Sequence, residues 1–258
     1  MSTVLAAIDN SLACRSVLAT ARALSHVLAA DVEALHVPVD GDQTARGAAA
    51  AAQVTLRTAE GPVIETLIDA AESDAIVAVV IGSRRLPNDR RPLGATALAV
   101  ATRLSKPVVI VPPHAQPLET IRSVLVPLEG TRLTSVAPRS IIEIAQGKNI
   151  EVLALHILDP HSIPAFTDQP QHEQTEWARE FLTRYCPWGI GAVRFETRVG
   201  ASATIIPEFA EESETDLIAL GWAQDLAPGR APVVRAALGR GRIPVMLIPV
   251  DSTPPPVS

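Results

Sequence analysis

The chain of 258 residues is written twice, and no other feature constrains its fold as much. "VLAAID" (Val4–Asp9) returns as "VLVPLE" (Val124–Glu129), and "VEALHV" (Val32–Val37) returns as "VLALHI" (Val152–Ile157), both 120 residues on. "VIGSRR" (Val80–Arg85) returns as "ALGWAQ" (Ala219–Gln224), and "KPVVIVP" (Lys106–Pro112) as "IPVMLIP" (Ile243–Pro249), now 139 and 137 residues on. Four blocks in one order mark a duplication. The change of offset puts about 19 extra residues into copy two after its second strand, around "HSIPAFTDQPQHEQTEW". Copy one is expected over residues 1–113, a linker over 114–120, copy two over 121–250 and a disordered tail over 251–258. The Pro-rich "PPHAQP" (Pro112–Pro117) between the copies cannot continue a sheet.

Each copy alternates strand and helix. In copy one the pattern predicts strands at Thr3–Asp9, Asp31–Val37, Val54–Ala59, Ile76–Ile81 and Val108–Val111. Ser11 is placed to cap a helix whose apolar positions Cys14, Val17, Leu18, Ala21, Leu24 and Leu28 have helical spacing. Shorter helices are expected near Thr44–Ala52, from Pro62 with Ile64, Leu67, Ile68 and Ala71 on one face, and over Thr96–Leu104. Copy two repeats the plan, and its insertion spaces Trp177, Phe181 and Tyr185 to share a helix face, which reads as core or as a contact between copies. Apolar residues make up 47% of the chain and aromatics 3%, so the cores must be built from Ala, Val, Ile and Leu. That suits parallel sheets covered by helices, wound by right-handed crossovers. The fold class is therefore α/β, with two tandem doubly wound sheets.

In such sheets ligands sit beyond the carboxyl ends of the strands, where the winding reverses. Asp9 closes the first strand and Gly82 the fourth. After Gly82 the chain crowds Arg84, Arg85, Arg90 and Arg91 into nine residues, although its formal net charge is -6. With the first and fourth strands as neighbours, the carboxylate and the basic loop face one crevice. The loop either holds an anion or is a solvated turn partly neutralised by Asp89.

These residues resemble the universal stress protein family, present here as a tandem pair from Val4 to Pro249. The marks are "AAIDNS" and "VPLEGT", "ALHV" and "ALHI", "VVIGS", and the closing "SKPVVIVP" and "RIPVMLIP". The resemblance implies the adenine nucleotide alpha hydrolase-like fold, with five strands per copy in the order 3-2-1-4-5. It also implies pairing through the fifth strand, which a tandem chain can form internally as a pseudo-dimer, a further homodimer staying open. Nucleotide-binding members carry a Gly-x2-Gly-x9-Gly-Ser/Thr loop after the fourth strand and an aspartate closing the first. Carried over residue by residue, Asp9 matches the aspartate, and Val37 the residue whose backbone meets the base. Gly82 matches the first glycine. Arg85 replaces the second, beside Arg84. Gly94 matches the third, 13 residues before Pro107, but eight residues rather than nine separate it from Arg85. Ala95 takes the hydroxyl position, with Thr96 one step late. In copy two Glu129 replaces the aspartate, Gly221 keeps the first glycine, and Gln224 and Ala231 stand at the second and third. No nucleotide site of the usual kind is expected there.

The resemblance thus implies a cytoplasmic stress-response or regulatory protein. It binds an adenine nucleotide such as ATP or AMP, or another anion, in copy one only, or it is a scaffold that acts through protein partners without nucleotide. An arginine in a glycine-only backbone costs roughly 1–2 kcal/mol. A charge-assisted hydrogen bond from it to a phosphate returns about 1.5–3 kcal/mol. Pro87 and Pro92 remove two N–H donors from the loop. Both readings stay open.

An enzyme is not expected, although slow ATP hydrolysis in the family's manner is not ruled out by sequence. There is no G-x-x-x-x-G-K-[ST] loop, and "GIGAVR" (Gly189–Arg194) lacks the third glycine of a dinucleotide fingerprint. Ser83 lies outside a G-x-S-x-G elbow. His36 and His156 share a repeat position and read as fold residues, while His161 and His172 lack metal-ligand spacing. Cys14 and Cys186 read as free thiols. The acidic balance argues against nucleic acid and membrane surfaces as partners. No apolar run reaches the ~18 residues that span a bilayer, and "MSTVLAAIDN" has no basic leader region.

Overall fold

The computed structural model describes residues 1–38, 41–83, 93–128, 138–158, 193–227 and 230–250. The chain divides into two compact units, Met1–Ile121 with Leu238–Leu247, and Arg122–Ala237 with Ile248–Ser258.

The first unit runs β1 (Thr3–Ile8), α1 (Cys14–Leu28), β2 (Asp31–His36), α2 (Gln43–Ala51), β3 (Thr55–Thr58), α3 (Val63–Glu72), β4 (Ile76–Gly82), α4 (Ala95–Arg103) and β5 (Val108–Val111). Its strands lie in the order β3-β2-β1-β4-β5, every neighbouring pair parallel. The winding reverses between β1 and β4, so their carboxyl ends open on one crevice. These two strands are buried on both faces, as their unbroken apolar runs require. One face is covered by the Val17, Leu18, Ala21 and Leu24 stripe of α1, all buried. The last strand of the chain, β10 (Val245–Pro249), pairs antiparallel with β5, Met246 opposite Val109.

The second unit carries β6 (Ser123–Leu128), α5 (Arg139–Gly147), β7 (Glu151–Leu158), β8 (Val193–Val199), α6 (Ser202–Glu212), β9 (Leu217–Trp222) and α7 (Pro232–Arg240). Its strand order is β8-β7-β6-β9, again parallel, the same winding as β3-β2-β1-β4.

Two boundaries differ from the sequence pattern for local reasons. Ser11 does not cap α1. The Asp9 carboxylate accepts the Ser11 N–H at 2.9 Å, a side-chain turn that competes with the helix. The chain makes one more turn, Cys14 N–H to Ser11 O at 3.2 Å, before α1 begins at Cys14. Val54 does not open β3, because its N–H returns to Ala49 O at 2.9 Å after Gln53 turns left-handed at φ 54°, closing α2. The predicted aromatic face of the insertion, Trp177, Phe181 and Tyr185, lies outside the described residues, as do Glu129 and Cys186.

Candidate functional site

Beyond the carboxyl ends of β1 and β4 lies a cavity of about 410 Å³, inside the ~300–1,000 Å³ range of small-molecule sites. Ile8, Val17 and Ile81 give it an apolar floor. The chain places one group of each needed kind around that floor. β1 delivers Asp9, β2 delivers Val37, β4 delivers Gly82 with Ser83, and α4 delivers Thr96. Of the residues singled out from sequence, Asp9, Val37, Gly82 and Thr96 line this one cavity. Gly94 and Ala95 form the N-cap and first residue of α4. Arg84 and Arg85, with the rest of the basic loop through Pro92, lie outside the described residues.

The N-cap of α4 is Gly94, which has no side chain to cap the first amides. Gly94 adopts extended backbone, φ -65° and ψ 158°, and its carbonyl takes the Leu98 N–H at 2.9 Å. The first-turn N–H groups of a helix have no partner within it and carry partial positive charge. With Thr96 on the cavity wall, that end of α4 adds an electropositive edge to a cavity that Asp9 also lines. Gly82 needs no unusual backbone. A Cβ added there would sit 3.5 Å from Val17 Cγ2, an ordinary contact on the cavity floor.

Among the wall residues not singled out as site residues are Cys14, Val17 and Pro113. Cys14 and Val17 were legible only as helix-face positions. The Cys14 thiol is 2% exposed, and burial first, then the Asp9 charge, pushes its pKa above the usual value, with Arg15 opposing. It stays protonated at neutral pH and is no nucleophile. Pro113 carried only a linker signal in the sequence. It reaches the wall because Ser16 Oγ, buried in α1, donates to Ala115 O at 2.8 Å and pins the segment after β5.

The repeat-related histidines hold strand ends together. His36 Nδ1 meets Ile8 O at 2.9 Å and Nε2 meets Gly41 O at 3.1 Å. His156 Nδ1 meets Leu128 O at 3.0 Å, the same bond 120 residues on. Burial lowers the His156 pKa below the usual 6.5, with the Leu128 carbonyl opposing. Among the described residues no group of three or more His, Cys, Asp or Glu side chains can hold a metal ion. Nor is any described helix long and apolar enough to cross a membrane.

Copy two places two non-glycine residues in left-handed backbone after its fourth strand. Gln224 has φ 55° and Ala231 φ 46°, both left-handed, at the positions where the family pattern has its second and third glycines. The connection is tied from inside by Arg235 of α7, whose guanidinium donates to Arg230 O at 3.0 Å, Ala227 O at 3.1 Å and Leu226 O. Where copy one has Ser83 on the cavity wall, copy two has Trp222, 1% exposed.

The family model described as "Universal stress protein family" matches residues 39–112 and 120–249. A universal stress protein from Archaeoglobus fulgidus superposes with TM-score 0.68 at 16% identity, covering 97% of each chain. A protein of unknown function from Pseudomonas aeruginosa PAO1 superposes with TM-score 0.68 at 14% identity, covering 97% of this chain and 93% of its own. A universal stress protein from a second strain of that species, UCBPP-PA14, gives 0.68 at 14% identity, with 97% and 94% covered. At these identities the structures speak to the fold alone. No curated protein matches the sequence. With the family model covering most of both copies and the winding repeated in each unit, the chain belongs to the universal stress protein family as a tandem member.

Proposed function

We propose that the protein is a stress-response or regulatory protein that binds an adenine nucleotide, or another phosphate-bearing anion, in copy one only. A single observation carries the reading. One cavity of about 410 Å³ is lined by apolar Ile8, Val17 and Ile81, by Asp9, and by Thr96 in the first turn of α4. An apolar slot suits a base, a carboxylate accepts ribose hydroxyls, and a helix start suits phosphate. The resemblance places Val37 against the base and puts Arg84 and Arg85 after β4, where guanidinium groups can meet phosphate oxygens in pairs. Cytoplasmic action through a protein partner downstream of the ligand belongs to the same reading, and no catalytic step is assigned.

Isothermal titration with adenosine, AMP, ADP, ATP and cyclic AMP tests it. The expected result is one site per chain. Asp9→Ala should weaken adenosine and nucleotides alike by about tenfold, one lost charge-assisted hydrogen bond. Arg85→Ala should weaken only the phosphate-bearing ligands. No heat at millimolar ligand, with both variants indistinguishable from wild type, overturns it and leaves the scaffold reading.

A further inference from the structure

We propose that Asn10 is a positioning residue that fixes the wall of the copy-one cavity by tying two connections together at the Gly41 carbonyl. The proposal rests on the ligand-binding reading above and adds the residue that sets the shape of that site. Asn10 sits between Asp9 and Ser11, both on the cavity wall. Its own side chain reaches the next connection instead. Nδ2 donates to Gly41 O at 2.8 Å, and Oδ1 accepts the Ala45 N–H at 3.2 Å.

The second bond gives the first turn of α2 an acceptor that its N-cap residue does not supply. Asp42 makes no side-chain cap bond and pairs with Arg46 at 2.5 Å instead. The cap of α2 is thus borrowed from a residue more than thirty positions earlier. The first bond closes a ring. His36 places Nδ1 2.9 Å from Ile8 O and Nε2 3.1 Å from Gly41 O, a neutral imidazole donating to one of the two, and Gly41 O accepts from Asn10, two residues beyond Ile8. Gly41 turns left-handed at φ +79° to present that carbonyl, with open space where a Cβ would stand, so the backbone rather than crowding calls for glycine. Val37, adjacent to His36 and on the cavity wall, is carried by this ring. The ends of β1 and β2 therefore form one preformed wall, and a wall already ordered leaves less freedom to lose on binding.

The repeat supplies an internal contrast. Copy two conserves the histidine bond to its first strand, His156 to Leu128. At the position of Asn10 it has Gly130, which carries no side chain to make the tie.

The test uses the full chain as wild type, Asn10→Gly and Asn10→Asp. In the absence of ligand, amide hydrogen exchange at Ala45 and Arg46 should quicken in Asn10→Gly. Asn10→Asp keeps the acceptor for Ala45 and loses the donor to Gly41, so Ala45 exchange should stay near wild type while ligand affinity falls. Calorimetry with adenosine and AMP should show both weakened about tenfold in Asn10→Gly, the ratio between them unchanged, since the wall and not the phosphate end is loosened. Unchanged exchange in Asn10→Gly, or quickened exchange with wild-type affinity for both ligands, overturns the role of Asn10 while the binding reading stands. Absence of binding in the wild type overturns both. Should Asn10→Gly fail to fold by circular dichroism, Asn10→Asp carries the affinity comparison.

Discussion

The two copies share a winding and part company at the end of their fourth strand. Copy one leaves a small serine there, a cavity, and a helix whose N-cap is a glycine. Copy two puts a buried tryptophan at the same repeat position and ties the following connection with Arg235, whose guanidinium donates to three carbonyls of that connection. In copy one, the N-cap of the fourth helix is a glycine, which has no side chain to offer the first amides. In copy two, a cation that the chain supplies itself takes the carbonyls of the loop. A duplicated fold can thus keep one winding while the residues at its carboxyl end diverge, because the sheet does not depend on the loops there.

The sharpest way to break this comparison is to cut both copies back to alanine at that one repeat position. Trp222→Ala should cost about 3–5 kcal/mol of stability, the usual loss for a buried tryptophan. Ser83→Ala should cost no more than about 1 kcal/mol. Thermal and denaturant unfolding of both variants decides it, and equal losses would mean that Trp222 is not the packing element claimed here.

Next in size is the internal tie. Arg235→Ala should lose about 1.5–3 kcal/mol, one charge-assisted hydrogen bond's worth, with the rest recovered by water. It should also expose residues 223–231 to limited proteolysis, with nucleotide having no effect on the cleavage. Arg235→Lys should restore little, since an ammonium lacks the planar fork that reaches several carbonyls at once.

Smaller and opposite in sign are glycine replacements at the left-handed positions. Gln224→Gly and Ala231→Gly should each stabilise the protein by up to about 1 kcal/mol, the relief of positive φ less the entropy glycine adds to the unfolded chain. A loss at either site would show that the side chain there is held by contacts worth more than the backbone strain.

The smallest effect is a dependence on pH. Because burial holds the His156 pKa below 6.5, the unfolded chain binds that proton more readily than the folded one. The contribution is fully present above pH 6.5 and is lost as pH falls through the lower, folded value. His156→Gln should therefore flatten the fall of melting temperature between pH 7 and pH 5. Cys14 acts at the other end. Its thiol pKa is raised in the fold above the usual 9.0, so stability drops as pH rises past 9.0, and Cys14→Ala should remove that alkaline component.

Much of the architecture could be read from the chain because duplication and apolar runs act over long stretches. Strands buried on both faces and crossovers that turn one way specify a parallel, doubly wound sheet, while the order β3-β2-β1-β4-β5 was implied by the family resemblance. Asp9 and Gly82 could be placed near one another because each closes a strand whose position the winding dictates, while Val37 and Thr96 came in through the family resemblance. What periodicity could not show were side chains acting across the fold. The bond from Asp9 to the Ser11 N–H moved the start of α1, and nothing in the apolar spacing signals it. Asn10 reaching Ala45, Ser16 reaching Ala115 and Arg235 reaching Leu226 are polar choices of individual rotamers, and a hydrophobic pattern carries no record of them. Cys14 and Val17 were visible as apolar positions, but whether such a residue faces a packed core or a cavity depends on what the opposite wall lacks.

The central claim is that copy one alone keeps a ligand site between the end of β1 and the start of α4. Crystals of the full chain grown with ATP test it most directly. The account predicts nucleotide density over Ile8 and Val17, with hydroxyls toward Asp9 and phosphate toward the first amides of α4, and nothing bound beside Trp222. Density beside Trp222, or a cavity in copy one filled by the chain's own loop with no nucleotide at saturating concentration, would contradict it.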